Sequence, residues 1–139
     1  MKLTEELEQA LNERFGKDSI ISVATVEDGI PYVREVDAVY VDGAFYIITY
    51  ALSNKMKQIQ KNPTVAIAGE WFTAHGEGKN LGYFCKEENK EIAEKLRKAF
   101  IAWIDNGHNN FDDENTCILC IKLTRGTLWA NGTCNEIEF

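Results

Sequence analysis

The chain has 139 residues, of which 45% are hydrophobic and 11% aromatic, and this is enough apolar material for a single domain, residues 1–139, with a buried core. The 22 acidic and 15 basic residues give a net charge of −7, which repels phosphate backbones, so we do not expect nucleic acid as a partner. No segment is long and apolar enough for a membrane span or a signal peptide, which predicts a cytoplasmic protein with no membrane partner.

The first predicted element is a helix. Thr4 can cap its start and Gly16 can end it, because a hydroxyl accepts a hydrogen bond from the first turn and glycine tolerates the backbone at a helix end. Its apolar residues recur at helical spacing and form one face: Leu3, Leu7, Ala10, Leu11 and Phe15. We expect this face to pack as a lid on a sheet.

Three strands follow the helix and are predicted to form a meander. β-Branched and aromatic residues fill the segments 18–27, 30–41 and 44–50, and the pairs Asp28-Gly29 and Asp42-Gly43 separate them. Asp-Gly between two such runs is a hairpin signal, so consecutive strands are expected to pair antiparallel.

A helix start comes directly after the third strand. The strand ends near Thr49, and Ser53 stands at the N-cap position, followed by Asn54, Lys55 and a short helix closed by Asn62-Pro63. At such a start unpaired backbone N–H groups and the positive end of the helix dipole point outward. The position favours a phosphate or carboxylate ligand; the alternative is an ordinary capped surface helix with solvated lysines.

The middle of the chain mixes strand and helix patterns. Segment 63–72 reads as a strand, and segment 74–82, which contains three glycines, as a loop or distorted hairpin. From residue 86 to about residue 105 the pattern predicts an amphipathic helix. Its apolar stripe is expected to be a core or dimer contact, and it consists of Ile92, Leu96, Phe100, Trp103 and Ile104.

The chain ends with a polar loop and two predicted strands. The loop covers residues 106–115, and the strands are 116–124 and a segment centred on 126–132, separated at Arg125-Gly126. Six or seven strands, mostly joined by hairpins, with three helices predict a mainly β fold, a small antiparallel barrel with flanking helices.

Arg34 lies on an apolar face of the second predicted strand. Alternate residues of a strand share a face, so its neighbours there are Tyr32, Val36, Ala38 and Tyr40. A charge on such a face needs a partner. The partner is either a carboxylate at the barrel rim or an anion or polar ring of a ligand lying across the strand.

The cysteines and histidines are the remaining candidates for chemically active side chains. Cys117 and Cys120 have a metal-like spacing, but they lie in a predicted strand, where an offset of three sends the side chains to opposite faces. We expect structural, reduced thiols and no metal site. His75 is expected near a site rim, either as a structural or exposed residue or as a proton donor to a reduced substrate. His108, in the polar loop, is expected to be solvated.

The ordered set of these motifs resembles a known family. An Arg-x-Val on one strand, an aliphatic-Thr step ending the next, Thr-x-x-x-Ser-x-Lys leading into a short helix closed by Asn-Pro, and a late Trp are similar to the FMN-binding split-barrel proteins related to pyridoxamine 5′-phosphate oxidase. The matching positions are Arg34, Val36, Ile48, Thr49, Ser53, Lys55, Asn62, Pro63 and Trp129.

The resemblance implies a fold, a cofactor and an assembly. The fold would be a six-stranded antiparallel split barrel, acting as a homodimer with two FMN sites at the subunit interface. Arg34 and Lys55, with Ser53, would hold the phosphate and ribityl chain of FMN. The backbone of Val36 and Thr49, beside Ile48, would line the isoalloxazine ring.

The sequence differs from the family pattern at two places. The segment after Trp129, NGTCNEIEF, is acidic and lacks arginine, whereas oxidases of pyridoxamine phosphate carry a basic segment there, so that activity is not expected. Asn54 occupies a cofactor-binding position where arginine is common in the family, which removes one cation. The chain looks more like the short bacterial members, of the general-stress or nitroimidazole-resistance type. In the implied dimer, Trp129 would approach the flavin from the partner subunit.

The expected function is an FMN-dependent oxidoreductase that reduces a small organic acceptor by hydride transfer through flavin N5. No glycine-rich dinucleotide loop follows a strand, so a nicotinamide donor would bind transiently rather than in its own domain. The alternatives are a non-catalytic flavin-binding or sensing protein and a plain dimerisation domain without ligand.

Overall fold

The computed structural model describes residues 1–139. None of its helices has the length and apolar character needed to cross a bilayer. The elements in chain order are α1 (Glu5–Phe15), β1 (Ser19–Glu27), β2 (Ile30–Val41), β3 (Ala44–Tyr50), α2 (Asn54–Lys61), β4 (Thr64–Gly69), β5 (Phe72–Tyr83), α3 (Lys90–Ala99), β6 (Thr116–Ala130) and β7 (Thr133–Glu138), with a short 3₁₀ turn at Glu87–Asn89 before α3.

The strands form one antiparallel sheet that closes on itself. Its order is β3-β2-β1-β4-β5-β6-β7, and an additional pairing of β3 with β6 closes the first six strands into a barrel, with β7 as an extra strand. Every strand pairing is antiparallel. The prediction of a six-stranded antiparallel split barrel with flanking helices is therefore confirmed.

The barrel is split between β2 and β3. These two strands pair only where Val39–Val41 faces Ala44–Tyr46. β2 pairs with β1 along Ile30–Ala38, and β3 pairs with β6 along its whole length. One edge of Ile30–Ala38 therefore has no strand partner, and neither does the facing edge of β3 beyond Tyr46.

Two apolar clusters stabilise this architecture. The larger, of 22 buried residues, fills the barrel, and α1 closes it with Leu7, Leu11 and Phe15. The smaller, of 7 buried residues, lies under α3. Leu96 is fully buried at the centre of that helix. The amphipathic helix thus packs as core, although regular helix ends at Ala99 and turns continue through the rest of the predicted segment.

Three predicted boundaries were wrong. Segment 74–82 is not a loop but the middle of β5. A Cβ at Gly76 would lie 2.7 Å from the Lys122 carbonyl oxygen, so this glycine permits close contact of β5 and β6 rather than breaking the strand. Segment 63–72 is divided by a turn at Glu70-Trp71. β6 passes through Arg125-Gly126 without a break, and the last turn is at Asn131-Gly132.

Candidate functional site

A cleft of about 480 Å³ opens in the split of the barrel, and we call it the β2–β3 cleft. Its inner part is formed by the strands and by α2, and its outer wall by the turns and loop that follow α3. The lining residues are Val36, Asp37, Ile47, Ile48 and Lys55 on the inner side, and Trp103, Asn106, His108 and Asn109 on the outer side.

Unpaired backbone borders this cleft on both sides. Val36 and Asp37 lie on the part of β2 that has no partner towards β3. Ile47 and Ile48 lie on the part of β3 whose only strand partner is β6, on the far side. Backbone N–H and C=O groups need hydrogen-bond partners. The backbone groups on these two edges are therefore free to hydrogen-bond a bound molecule.

The start of α2 forms one end of the cleft. Ser53 is the N-cap, with an extended backbone, and its hydroxyl accepts a hydrogen bond of 3.4 Å from the backbone N–H of Met56. The predicted cap is therefore confirmed. Lys55 is half-buried and lines the cleft, whereas Asn54, the first residue of the helix, is exposed. The helix carries no acidic residue in its first turn, so its positive end is uncompensated by its own side chains.

Arg34 is held by neutral groups. Its Nη1 donates to the backbone carbonyl of Val23 at 3.2 Å and to Thr25 Oγ1 at 2.8 Å, and its Nη2 donates to Gln58 Oε1 at 3.3 Å. Burial lowers the pKa of Arg34 from its ordinary value. The alternative of a salt bridge at the rim does not hold, because the chain's two ion pairs are Lys2–Glu138 and Arg97–Asp105.

Lys55 is the second cation at this end. Burial, and after it the charge of Arg34, lower the pKa of the Lys55 ammonium. No carboxylate pairs with it. Lys55 and Arg34 are therefore two half-buried cations, neither of which has a carboxylate counter-ion in the chain.

The cleft also carries a carboxylate, that of Asp37 on β2. Asp37 is largely exposed, but partial desolvation of its carboxyl and, after it, the neighbouring Asp18 raise the pKa of Asp37. Asp18 in turn accepts a hydrogen bond of 2.9 Å from Trp103 Nε1. The cleft is therefore lined by one cation, Lys55, and one carboxylate, Asp37.

The structure brings some of the predicted site residues together and leaves others apart. Val36, Ile48 and Lys55 line one cleft. Thr49, opposite Cys117 on β6, is half-buried and lines an adjoining depression of about 260 Å³ with His108 and Asn109. Trp129 is 52% exposed near the end of β6, beyond the part that pairs with β3, and it does not line the cleft of its own chain.

The two histidines lie in different surface depressions, and only His108 lines the β2–β3 cleft. His75 lies on the continuous strand β5, directly opposite Arg125, and lines a separate surface depression. His75 is exposed, as one of the two alternatives expected, and it does not line the β2–β3 cleft of its own chain. His108 is exposed as expected, but it lies in the wall of the β2–β3 cleft. Nothing in the polar sequence around it indicated that position.

Two further residues at the site were missed, Thr25 and Gln58. Both are buried and both contact Arg34. A signal for Thr25 existed, since Ile21 and Val23 precede it on the inward face of β1 and a hydroxyl on that face needs a partner. Gln58 had no such signal, because a glutamine in a short helix is usually solvated.

Cys117 and Cys120 are structural thiols. Cys117 and Cys120 lie on opposite faces of β6, and all four cysteines are free. Burial raises the pKa of Cys117 to about 11, and burial also raises that of Cys120. Thiols in this state are poor nucleophiles. No group of three or more histidine, cysteine, aspartate or glutamate side chains is arranged to hold a metal ion.

A six-stranded antiparallel barrel with a cleft at the split between β2 and β3 defines the class of split-barrel proteins. Residues 3–130 match the family model described as pyridoxamine 5′-phosphate oxidase, and the chain belongs to this family. No protein in a search of curated sequences matches it significantly.

Solved structures share the fold at low sequence identity. A NimC/NimA family protein from Clostridium acetobutylicum has a TM-score of 0.67 and 22% identity, over 97% of this chain and 94% of its own. A FAD-binding protein from Mesorhizobium loti has a TM-score of 0.68 and 15% identity, over 89% and 92%. A pyridoxamine 5′-phosphate oxidase-related, FMN-binding protein from Nostoc punctiforme has a TM-score of 0.58 and 17% identity, over 88% and 81%.

Proposed function

We propose that the protein binds FMN in the β2–β3 cleft and uses it as an oxidoreductase that reduces a small organic acceptor. The observation that carries the proposal is the pair Arg34 and Lys55, two half-buried cations without a carboxylate partner beside the N-terminus of α2. A phosphate monoester carries close to two negative charges at neutral pH. It is the anion that best offsets two cations and a helix dipole together.

The residues present fit the phosphate and ribityl end of FMN. Arg34 offers the guanidinium donors left over from its three hydrogen bonds, and Lys55 offers an ammonium at the cleft surface. The hydroxyl of Ser53 and the amide of Asn54 are the polar groups beside them. Arginine is common in the family at the position of Asn54, whose side chain is neutral. The affinity of this chain for the FMN phosphate therefore depends on Arg34 and Lys55.

The ring end of the cleft suits an isoalloxazine. Val36, Ile47 and Ile48 give it apolar walls, and the free strand edges give it backbone donors and acceptors. An isoalloxazine is flat, apolar across its faces and polar along one edge. Thr49 follows Ile48 on the same edge of β3. Its backbone is also proposed to line the isoalloxazine ring.

Bound FMN would supply hydride transfer at its N5 atom, which no side chain of this protein can perform. The protein's part is to orient the ring between β2 and β3 and to exclude water from its apolar faces. A nicotinamide donor would bind transiently, as would the acceptor, in the open outer part of the cleft. The carboxylate of Asp37, which lines the cleft, and that of the neighbouring Asp18 disfavour a phosphorylated acceptor such as pyridoxamine phosphate.

A homodimer is part of the proposal. The free edge of β2 carries exposed apolar residues, with Ile30 56%, Tyr32 43% and Val33 70% exposed. A long, apolar, unpaired edge strand invites association with another chain. In such a dimer Trp129 of the partner subunit would complete the flavin site. A cytoplasmic location is also part of the proposal. It is supported by the four free cysteines, which are typical of a reducing compartment.

The descriptions of similar structures support flavin binding by this chain, but they name two different flavins. The Nostoc punctiforme protein is described as FMN-binding and the Mesorhizobium loti protein as FAD-binding. We favour FMN because a terminal phosphate monoester matches the two cations more closely than the internal diphosphate of FAD. Titration of the purified protein with FMN, FAD and riboflavin distinguishes these ligands.

The test of function is a visible spectrum followed by anaerobic reduction. The protein should be yellow as purified, or stay yellow after FMN is added and the unbound FMN is removed by gel filtration. It should then bleach with a nicotinamide donor and recover its colour when a nitro or quinone acceptor is added. Bound flavin that no nicotinamide donor reduces would instead support the alternative of a flavin-binding or sensing protein. A protein that stays colourless after FMN is added contradicts both and leaves a dimerisation domain.

A further inference from the structure

Arg34 is joined to a small, buried polar network that spans three elements. Thr25 on β1 is 0% exposed and Gln58 on α2 is 4% exposed. The Thr25 hydroxyl donates to Gln58 Oε1 and accepts from Arg34 Nη1, and Gln58 Oε1 also accepts from Arg34 Nη2. Each of the three side chains therefore bonds to the other two.

Such a network costs free energy that the fold alone does not require. Burying a hydroxyl and an amide is unfavourable unless their hydrogen bonds are made. Thr25 follows Ile21 and Val23 on the inward face of β1, and Gln58 precedes the buried Ile59 on α2. Two apolar side chains would serve packing at these positions equally well. The polar pair therefore points to a task at Arg34.

Thr25 and Gln58 are both uncharged, and this indicates what they do for Arg34. A carboxylate at either position would form an ion pair with the guanidinium and offset its charge. A hydroxyl and an amide oxygen fix the direction of the guanidinium, and they leave its full positive charge for an anion from outside. Gln58 also lies three residues after Lys55, on the same face of α2. The helix that presents the ammonium thus also orients the guanidinium.

We infer that Thr25 and Gln58 are positioning residues that hold Arg34 through neutral hydrogen bonds, so that Arg34 and Lys55 together receive the phosphate of the bound flavin. This inference rests on the proposed function and deepens it, because it makes discrimination between a phosphorylated and an unphosphorylated flavin depend on two residues that need not touch the ligand. The quantity that reports it is the ratio of FMN affinity to riboflavin affinity.

The first test replaces the amide by a carboxylate of the same size. In Gln58→Glu the new negative charge lies against Arg34, so FMN affinity should fall by roughly 10- to 100-fold while riboflavin affinity stays the same. The matched control is Gln60→Glu, which adds the same charge to an exposed position of the same helix. It should change the ratio by no more than about twofold.

The second test removes and restores one hydroxyl. Thr25→Val keeps the shape of the side chain but loses both hydrogen bonds, and the FMN to riboflavin ratio should fall by roughly 10-fold. Thr25→Ser keeps the hydroxyl and should restore most of the ratio. A purely structural role for Thr25 would lower the melting temperature of Thr25→Val and weaken both flavins equally. This pair keeps the inference testable even if Gln58→Glu does not fold.

The outcomes separate the inference from the proposed function. If the wild-type protein binds no FMN, the proposed function fails and the inference falls with it. If the wild type binds FMN, but Gln58→Glu and Thr25→Val keep the wild-type ratio, the inference alone is overturned. A lowered ratio in both variants, with the ratio kept in Gln60→Glu and Thr25→Ser, supports the inference.

Discussion

Lys55 and Arg34 are neighbouring like charges, and the charge of Arg34 is the largest cause after burial that lowers the pKa of Lys55. Neither residue has a carboxylate within ion-pair distance. The pair is unfavourable to the folded chain by itself, since both burial and repulsion oppose its charges. Like charges that are half-buried and lack counter-ions are typical of a ligand site, where a bound anion offsets both the burial and the repulsion.

Lys55→Ala should weaken FMN binding. The lost contact is a charge-assisted hydrogen bond, so the expected loss of binding free energy is ~1.5 to 3 kcal/mol. Titration of the protein with FMN, followed by quenching of flavin fluorescence, measures it. Lys57→Ala removes an equal charge from an exposed position of α2 and is the control. Wild-type affinity in Lys55→Ala would contradict the assignment of Lys55 to the phosphate.

FMN affinity should fall as the solution becomes alkaline. The pKa of Lys55 is lowered, so its ammonium loses the proton at a lower pH than an exposed lysine does. The flavin phosphate is fully ionised above about pH 7 because its second pKa is near 6, so the decline reports the protein. A titration series between about pH 7 and pH 10 measures it. Lys55→Arg, whose side chain stays charged in this range, should flatten the profile.

Lys55→Met should stabilise the protein when no ligand is present. A lysine with a lowered pKa binds its proton less tightly in the folded than in the unfolded chain. Its charged form therefore opposes folding below the lowered pKa, and this penalty disappears as the pH rises towards the ordinary lysine value. At neutral pH the melting temperature of Lys55→Met should exceed that of the wild type, and that of Lys57→Met should not. A lower melting temperature would show that Lys55 stabilises the free protein.

Much of the fold could be predicted from local chemistry. The hairpins around β2 follow from their Asp-Gly turns, in which Asp28 and Gly29 both have positive φ, as do Asp42 and Gly43. The cap at Ser53 follows from the residue type alone. β5 was missed because glycine is depleted in strands in general. Its glycine at position 76 is explained by the Lys122 carbonyl and the Ile121 side chain, which lie on a strand distant in sequence.

The candidate site was predictable only where it coincided with local motifs. Arg34 stood out as a charge on an apolar face, and Lys55 as a cation at a helix start. Gln58 did not, because its role depends on Thr25, 33 residues earlier in the chain. His108 reaches the cleft only because α3 and the turns after it pack against the barrel wall. Contacts of this range leave no periodic pattern in the sequence.

The free edge of β2 provides a test of the assembly. Val33→Glu introduces a charge at an apolar position that is 70% exposed, so it should leave the folded monomer intact but dissociate a dimer formed through this edge. Ile101→Glu is the matched control, since Ile101 is 71% exposed and lies after α3 rather than on this edge. Sedimentation velocity of the three proteins measures the molecular mass in solution.

The same variants test whether the flavin site needs two chains. Trp129 does not line the cleft of its own chain, so a proposed site that includes it needs the dimer. Val33→Glu should therefore lower FMN affinity together with the molecular mass, whereas Ile101→Glu should change neither. A monomeric wild type that binds FMN would contradict the partner role of Trp129. A Val33→Glu variant that remains dimeric would show that the chains associate through another surface, because a buried glutamate at an apolar interface is strongly unfavourable.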